Sequence, residues 1–283
     1  MTTMTKKASD DPTASRPEML SNVVHYELEG KERRVAIITL EAPPLNLMSR
    51  KFRQRFLSVL DALDREDGVA VVLVRSGLAG VFSAGSDVTQ FPTTREGIYE
   101  MTKEEHTLYN RLATVSQPVI VVIAGYALGG GLELALSGDF RIAESGSRIG
   151  LPEISLGIFP AGGAAQRLPS IIGPAKAKRM MMLGEVVCAE DAMSLGIVDE
   201  VVPSERGLDR ARELAEQLTA TEAPKALQAI KRSVNVGLWR GFAEGSEEEM
   251  RSIVEVLLSA EAQKGITRFL AERSKKHVSR EQS

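Results

Sequence analysis

The sequence predicts an α/β protein, with a core of alternating strands and helices and an appended helical portion at its C-terminal side. Three observations lead there. Residues 69–74 and 119–124 are short apolar runs, rich in β-branched side chains and bounded by Gly or Pro, as buried strands are. Ahead of the first run, apolar residues recur at helical spacing. Beyond Gly173 nearly every segment follows the helical period, with no clear linker before it. The chain divides accordingly into an N-terminal extension (residues 1–20), a core that carries the site (21–205) and a C-terminal helical region (206–283). The last helices have apolar stripes without an obvious core of their own, so they must pack on the core or on another subunit.

Taken in order, residues 23–28 and 35–40 read as two strands joined by the charged turn 29–34. Pro43 and Pro44 cannot donate to a ladder, so they end the second strand and turn the chain toward a helix. Ser49 is the expected N-cap, and Phe52, Phe56, Val59, Leu60 and Leu63 mark one face of a helix to about Arg65. Strand 69–74 follows, then a Gly-rich turn over 76–85. Residues 91–107 lack a strong period and are expected to form a loop with a short helix. A helix over 108–115 stops before Pro118, which opens strand 119–124. Gly129, Gly130 and Gly131 lead into a helix that begins at Leu132, and short strands follow at 140–143 and 148–151. Helices are expected at 174–183 and 189–195, a strand at 200–202, then helices at 208–220, 224–236 and 242–259.

Composition narrows the chemistry. A chain of 283 residues suits one large domain or two small ones, and 43% hydrophobic residues are too many for disorder. The net charge of −3 offers no global basic field for phosphates, which argues against a nucleic-acid partner. Cys188, the only cysteine, allows neither an internal disulfide nor a cysteine-built zinc site and fits a reducing compartment. His25, His106 and His277 are too few for a multi-histidine metal centre. The first twenty residues carry no apolar stretch of the kind a secretory signal needs. No run approaches the ~20 residues that span a bilayer. The expectation is a cytoplasmic protein with no metal, no membrane and no nucleic acid.

Several residues could carry chemistry. The three glycines 129–131 bring backbone close to a ligand and expose N–H groups, though a tight packed turn would use them equally. They form neither a Walker loop nor a dinucleotide fingerprint. Glu133 lies between Leu132 and Leu134 in a segment apolar all round, which favours a partly buried, functional carboxylate over a surface glutamate that complements the first turn of a helix. Glu153 follows Pro152 as at an ordinary helix opening, yet two carboxylates beside backbone donors make an acid–base site. Asp87 reads as an N-cap, and Ser83 does not satisfy the nucleophile pattern G-x-S-x-G.

With these residues in place the chain resembles the enoyl-CoA hydratase/isomerase (crotonase) family. The likeness lies in Gly85-Ser86-Asp87, in Gly125-Tyr126-Ala127-Leu128-Gly129-Gly130-Gly131-Leu132-Glu133, in Pro152-Glu153-Ile154, in Gln166-Arg167-Leu168 and in Leu195-Gly196-Ile197-Val198. It extends in order over about residues 23–273.

The resemblance implies a crotonase-like spiral of ββα units with a C-terminal helical region that builds a homotrimer or homohexamer. It implies an acyl-CoA thioester as substrate, with no cofactor beyond the coenzyme A that the substrate carries. The backbone N–H groups of Ser86 and Gly130 match the family's oxyanion hole, and Glu133 and Glu153 match the glutamates that hold and split a water. Ala84, Asp87, Phe91, Gly129 and Ala161 are implied to bind substrate. Having both glutamates favours hydration; an enoyl-CoA isomerase or another acyl-CoA lyase of the family is the alternative. The chain departs from the pattern at Ala161, where many hydratases have Gly, and at Lys264, where Glu is common. The stretch 91–107 has no close match and is expected to line the acyl pocket with Phe91, Ile98, Tyr99 and Met101.

Overall fold

The computed structural model describes residues 23–31 and 34–281; the expected extension over 1–20 and the middle of the turn 29–34 lie outside them. The chain begins with β1 (Val24–Glu29), β2 (Arg34–Leu40), α1 (Arg50–Leu63), β3 (Val69–Ser76) and β4 (Val81–Ser83). It continues through α2 (Arg95–Thr114), β5 (Val119–Ile123), β6 (Tyr126–Leu128), α3 (Gly130–Ala135), β7 (Phe140–Glu144) and β8 (Arg148–Gly150). Then come α4 (Ala164–Ile172), α5 (Pro174–Leu183), β9 (Val186–Cys188), α6 (Ala189–Leu195) and β10 (Glu200–Val202). Four helices close it: α7 (Gly207–Ala220), α8 (Pro224–Arg240), α9 (Phe242–Leu257) and α10 (Ala260–Glu281).

Hydrogen bonding divides the strands between two mixed sheets, one ordered β1-β2-β3-β5-β7-β10 and the other β4-β6-β8-β9. From β3 to β8 consecutive strands alternate between the sheets, so each repeat of the chain adds one strand to both. That alternation is the spiral. The larger sheet is parallel from β2 to β10, and its inner strands are apolar on both faces, as parallel strands covered on both sides must be.

Period-2 alternation decides which side chain goes where. Val71 and Leu73 of β3, with Ile37, Ile120, Val122 and Ile142, pack on one face under Ala211 and Ala215 of α7. Val72 and Val74, with Ile38, Val119 and Val121, pack on the other face against Phe52 and Phe56 of α1. The alanines let α7 lie close to the sheet, so the first helix of the C-terminal region completes the core.

Local signals explain the helices. Ser49 caps α1 by accepting from the amide of Phe52 at 3.2 Å, and the stripe Phe52, Phe56, Val59, Leu60 and Leu63 is buried. The stretch 91–107 differs from the expected loop: most of it belongs to α2, a continuous helix of 20 residues. Thr94 caps α2 by accepting from the amide of Gly97 at 3.1 Å, and Glu96 complements the helix dipole. The periodicity is hidden because Ile98 and Tyr99 are exposed while one position of the buried stripe, Glu105, is charged.

α8 is tied to the core by Lys231, whose Nζ reaches Asp139 Oδ2 at 2.8 Å and the Gln117 carbonyl at 2.9 Å. Gly237 and Gly245 let α8 and α9 cross closely; a Cβ at 245 would stand 2.7 Å from Gly237 Cα. Ile230, Val234 and Leu238 of α8, with Ile253 and Val254 of α9, remain exposed. No helix among the described residues is long and apolar enough to cross a membrane.

Candidate active site

Three neighbouring strands of the smaller sheet, β4, β6 and β8, run parallel, and the segments that follow them meet. Ala84 to Ser86 follow β4, Gly129 and Gly130 follow β6, and Glu153 lies in the 3₁₀ turn Pro152–Leu156 after β8. A cavity of about 570 Å³ opens among them, with α2 as a further wall.

Asn46 fixes the first segment. It is fully buried, with φ of 49°, a left-handed conformation that Asn tolerates better than most residues. Its Nδ2 donates to the Phe82 carbonyl at 2.9 Å and to Ser76 Oγ at 2.8 Å, while its carbonyl accepts from Ser83 Oγ at 2.8 Å. Ser83 Oγ also accepts from the Gly85 amide at 3.1 Å, so this serine is occupied in building the turn.

Peptide planarity then aims two amides. In a trans peptide the C=O and N–H point opposite ways. The Gly85 carbonyl accepts from the Met48 amide at 2.9 Å, which turns the Ser86 N–H away from that bond. The Gly129 carbonyl accepts from the Glu133 amide at 3.0 Å, which does the same for the Gly130 N–H. Neither N–H has a hydrogen-bond acceptor among the described residues. Gly85 (φ +99°) brings the segments together: a Cβ there would stand 2.8 Å from the Leu128 carbonyl and 3.2 Å from the Gly130 nitrogen.

Two carboxylates flank these amides. Glu133 is 3% exposed, and its Oε1 accepts from the amides of Gly162 at 2.8 Å and Ala164 at 3.0 Å. Burial pushes its carboxyl up to about 7; the nearby charges of Glu153 and Glu105 push the same way, while the two amides oppose. Glu153 is half-buried and its carboxyl is raised as well, chiefly by desolvation. Its Oε2 is buried without a hydrogen-bond partner among the described residues, and its Oε1 lies 3.2 Å from where a Cβ on Gly129 would stand. A carboxyl titrating near neutrality takes up and releases protons readily at physiological pH.

Ala84, Ser86, Phe91, Gly129, Gly130, Glu133, Glu153 and Ala161 all line the cavity, as do Ile98 and Met101. Asp87 and Tyr99 do not. The Asp87 carboxylate is held by the Thr89 amide at 3.1 Å, Thr89 Oγ1 at 2.6 Å and Gln90 Nε2 at 2.7 Å, which is an N-cap arrangement. Tyr99 is on the solvent side of α2.

Sequence reasoning missed a buried polar cluster behind Ser86 and Gly130. Glu105 Oε1 accepts from Ser86 Oγ at 2.7 Å and lies 3.6 Å from Arg53 Nη1. Arg53 donates to the Met48 carbonyl at 2.7 Å and to Glu104 Oε2 at 3.3 Å. Tyr109, fully buried, donates to the Gly130 carbonyl at 3.3 Å. Burial and the charges of Glu133 and Glu105 push its phenol well above the ordinary value, so it remains a donor. Polar residues in the buried stripe of α2 were the only local signal.

Residues 30–280 match the enoyl-CoA hydratase/isomerase family. The 2,3-dehydroadipyl-CoA hydratase of Escherichia coli is 31% identical over 246 residues, which cover 87% of this chain and 95% of that protein. A probable enoyl-CoA hydratase of Bacillus subtilis is 31% identical over 242 residues, 84% of this chain and 93% of that one. Among solved structures, the enoyl-CoA hydratase of Bacillus anthracis superposes with a TM-score of 0.81 at 28% identity, covering 88% of this chain and 96% of the other. DspI of Pseudomonas aeruginosa gives 0.79 at 31% identity over 87% of this chain and 94% of its own. The spiral of paired strands, the facing glutamates and these likenesses agree: the chain belongs to the enoyl-CoA hydratase/isomerase family.

Proposed function

We propose that the protein is an enoyl-CoA hydratase that adds water reversibly to the double bond of a 2-enoyl-CoA thioester. The observation that carries this reading is the placement of two carboxylates, the buried Glu133 and the half-buried Glu153, beside two backbone N–H groups that have no acceptor among the described residues. The thioester oxygen binds between the amides of Ser86 and Gly130. Glu133, ionised, takes a proton from water as the water oxygen forms its bond to Cβ. The π electrons of the double bond move onto the thioester oxygen, and the two amides stabilise that enolate; one such donor is worth about 10²–10³ in rate. The enolate collapses as Cα takes the proton that Glu153 carried from the start, and exchange with solvent then removes the proton from Glu133 and restores one to Glu153. Dehydration reverses each step. Apolar side chains from Phe91, Ile98 and Met101 border the acyl end, and an acyl-CoA is the partner that this cavity takes.

The test is the loss of conjugated-thioester absorbance with crotonyl-CoA. Glu133→Gln and Glu153→Gln should each lower kcat by about 10²–10⁴ while the fold persists. Consumption of β,γ-unsaturated thioesters alone would replace hydration with isomerisation. We also place subunit contacts of a homotrimer or homohexamer on the exposed apolar faces of α8 and α9. A monomeric mass by light scattering would remove that part.

A further inference from the structure

We propose that α2 is the positioning element of the oxyanion hole: Glu105 holds Ser86 through its hydroxyl, and Tyr109 holds Gly130 through its carbonyl. The inference rests on the reading of Ser86 and Gly130 as the donors. Residues four apart share one face of a helix, so one rigid surface reaches both halves of the hole. Glu105 is 6% exposed and Tyr109 fully buried, so solvent does not compete for either bond.

The bonds behind Ser86 form a closed ring. Ser86 Oγ donates to Glu105, Glu105 lies beside Arg53, Arg53 donates to the Met48 carbonyl, and the Met48 amide donates to Gly85, whose carbonyl shares a peptide plane with the Ser86 N–H. The hydroxyl and the peptide of one donor are therefore tied to the same arginine. Arg53 has a second task. A carboxylate behind an oxyanion hole disfavours negative charge on the thioester oxygen, and the guanidinium offsets it. Packing alone would be served as well by apolar groups, since a buried ion pair gains little stability over them. On the Gly130 side, Tyr109 fixes the carbonyl of the peptide that follows the donor amide. A Cβ at 130 would stand 3.0 Å from the Tyr109 hydroxyl and 3.1 Å from Ser86 Oγ, so glycine is what allows Tyr109 and the held Ser86 hydroxyl to approach this close.

The test uses the intact protein with butyryl-CoA labelled with ¹³C at the thioester carbonyl, which binds but cannot be hydrated. Isotope-edited infrared spectroscopy reads how far binding polarises that carbonyl. In Tyr109→Phe and in Ser86→Ala the carbonyl band should move back toward its free frequency. kcat on crotonyl-CoA should fall about tenfold or more, while KM stays within about twofold. Ser86→Ala and Glu105→Ala should not add, the double variant losing no more than the worse single one, and Glu105→Gln should recover most of what Glu105→Ala loses. A wild-type carbonyl shift in folded Tyr109→Phe and Ser86→Ala, or additive losses, would overturn the proposal while hydration stands. A wild-type protein that polarises the carbonyl, loses that polarisation in the variants and hydrates no enoyl thioester would sink the hydratase reading alone. No carbonyl shift in the wild type would overturn both.

Discussion

The amide of Gly162 donates to Oε1 of Glu133 at 2.8 Å, and the carboxylate lies so near that residue 162 has no room for a side chain. A Cβ there would stand 2.5 Å from Glu133 Oε2 and press on the Tyr109 ring. Gly162→Ala keeps the donor and displaces what it holds. We expect kcat to fall at least about 100-fold, since displacements near 1 Å cost that much, and stability to drop by roughly 1–3 kcal/mol from overpacking. Crotonyl-CoA kinetics and denaturant melts check both; unchanged kinetics would mean that Glu133 need not be held so tightly.

The Glu133 carboxyl sits at about 7 in the fold against an ordinary 4.5. A raised folded value means that the native state binds the proton more tightly than the unfolded chain. Its stabilisation is complete below the unfolded value and is lost as pH rises through about 7. Glu133→Gln removes this titration. The variant should therefore gain on the wild type as pH rises, by up to roughly 3 kcal/mol. Stability curves between about pH 5 and about pH 8 measure it, and a constant difference would place the carboxylate in water.

The same titration should shape catalysis. In the proposed hydration Glu133 must be ionised, so kcat should climb with pH through about 7 on its acid side. The charges of Glu153 and Glu105 both raise Glu133, and its two backbone donors lower it. Removing one negative neighbour lowers an acid's pKa, so Glu105→Gln should move the acid limb to lower pH. A limb that stays put, or moves upward, would show that Glu133 is not the group that limits the rate there.

Lys231 offers a prediction away from the chemistry. Its ammonium is almost buried, paired with Asp139 Oδ2, which also accepts from the Val119 amide at 2.7 Å. Lys231→Met leaves that carboxylate without its cation, at a cost of about 3 kcal/mol. Faster amide exchange confined to α8 is the expected signature. Exchange that accelerates evenly through the larger sheet would deny the lysine a local role.

How much of this was legible in the sequence depended on length and on locality. β2, β3 and β5 declare themselves because their β-branched residues are buried on both faces. α1 carries its own cap at Ser49. β6 and β9 have three residues each, too few for any period, so a second sheet was not foreseen. α4 was not foreseen either: it opens from glycine and holds Pro169 inside. Glu133 stood out because its sequence neighbours are apolar and Glu153 because it could pair with it, whereas the Ser86 and Gly130 amides were singled out only because their segments resemble a family. Arg53, Glu105 and Tyr109 were missed because each acts across a long stretch of chain, and a glutamate in a buried stripe looks like the end of a helix face. Asn46 was passed over as part of a turn, although its side chain does the work of a small β-ladder there.

The parallel run of β4, β6 and β8 has a consequence for how such a protein diversifies. Adjacent strands are held about 4.8 Å apart by their main-chain bonds. The segments bearing Ser86, Gly130 and Glu153 thus inherit their coarse spacing from the sheet edge, and side chains such as Asn46, Glu105 and Tyr109 have only to set the orientation of the peptides that leave it. The apolar cavity residues Phe91, Ile98 and Met101, which on the proposed reading border the acyl tail, lie off that ruler. They are free to drift in size and polarity, so that the tail a descendant accepts can change while the atoms that perform the reaction keep their places.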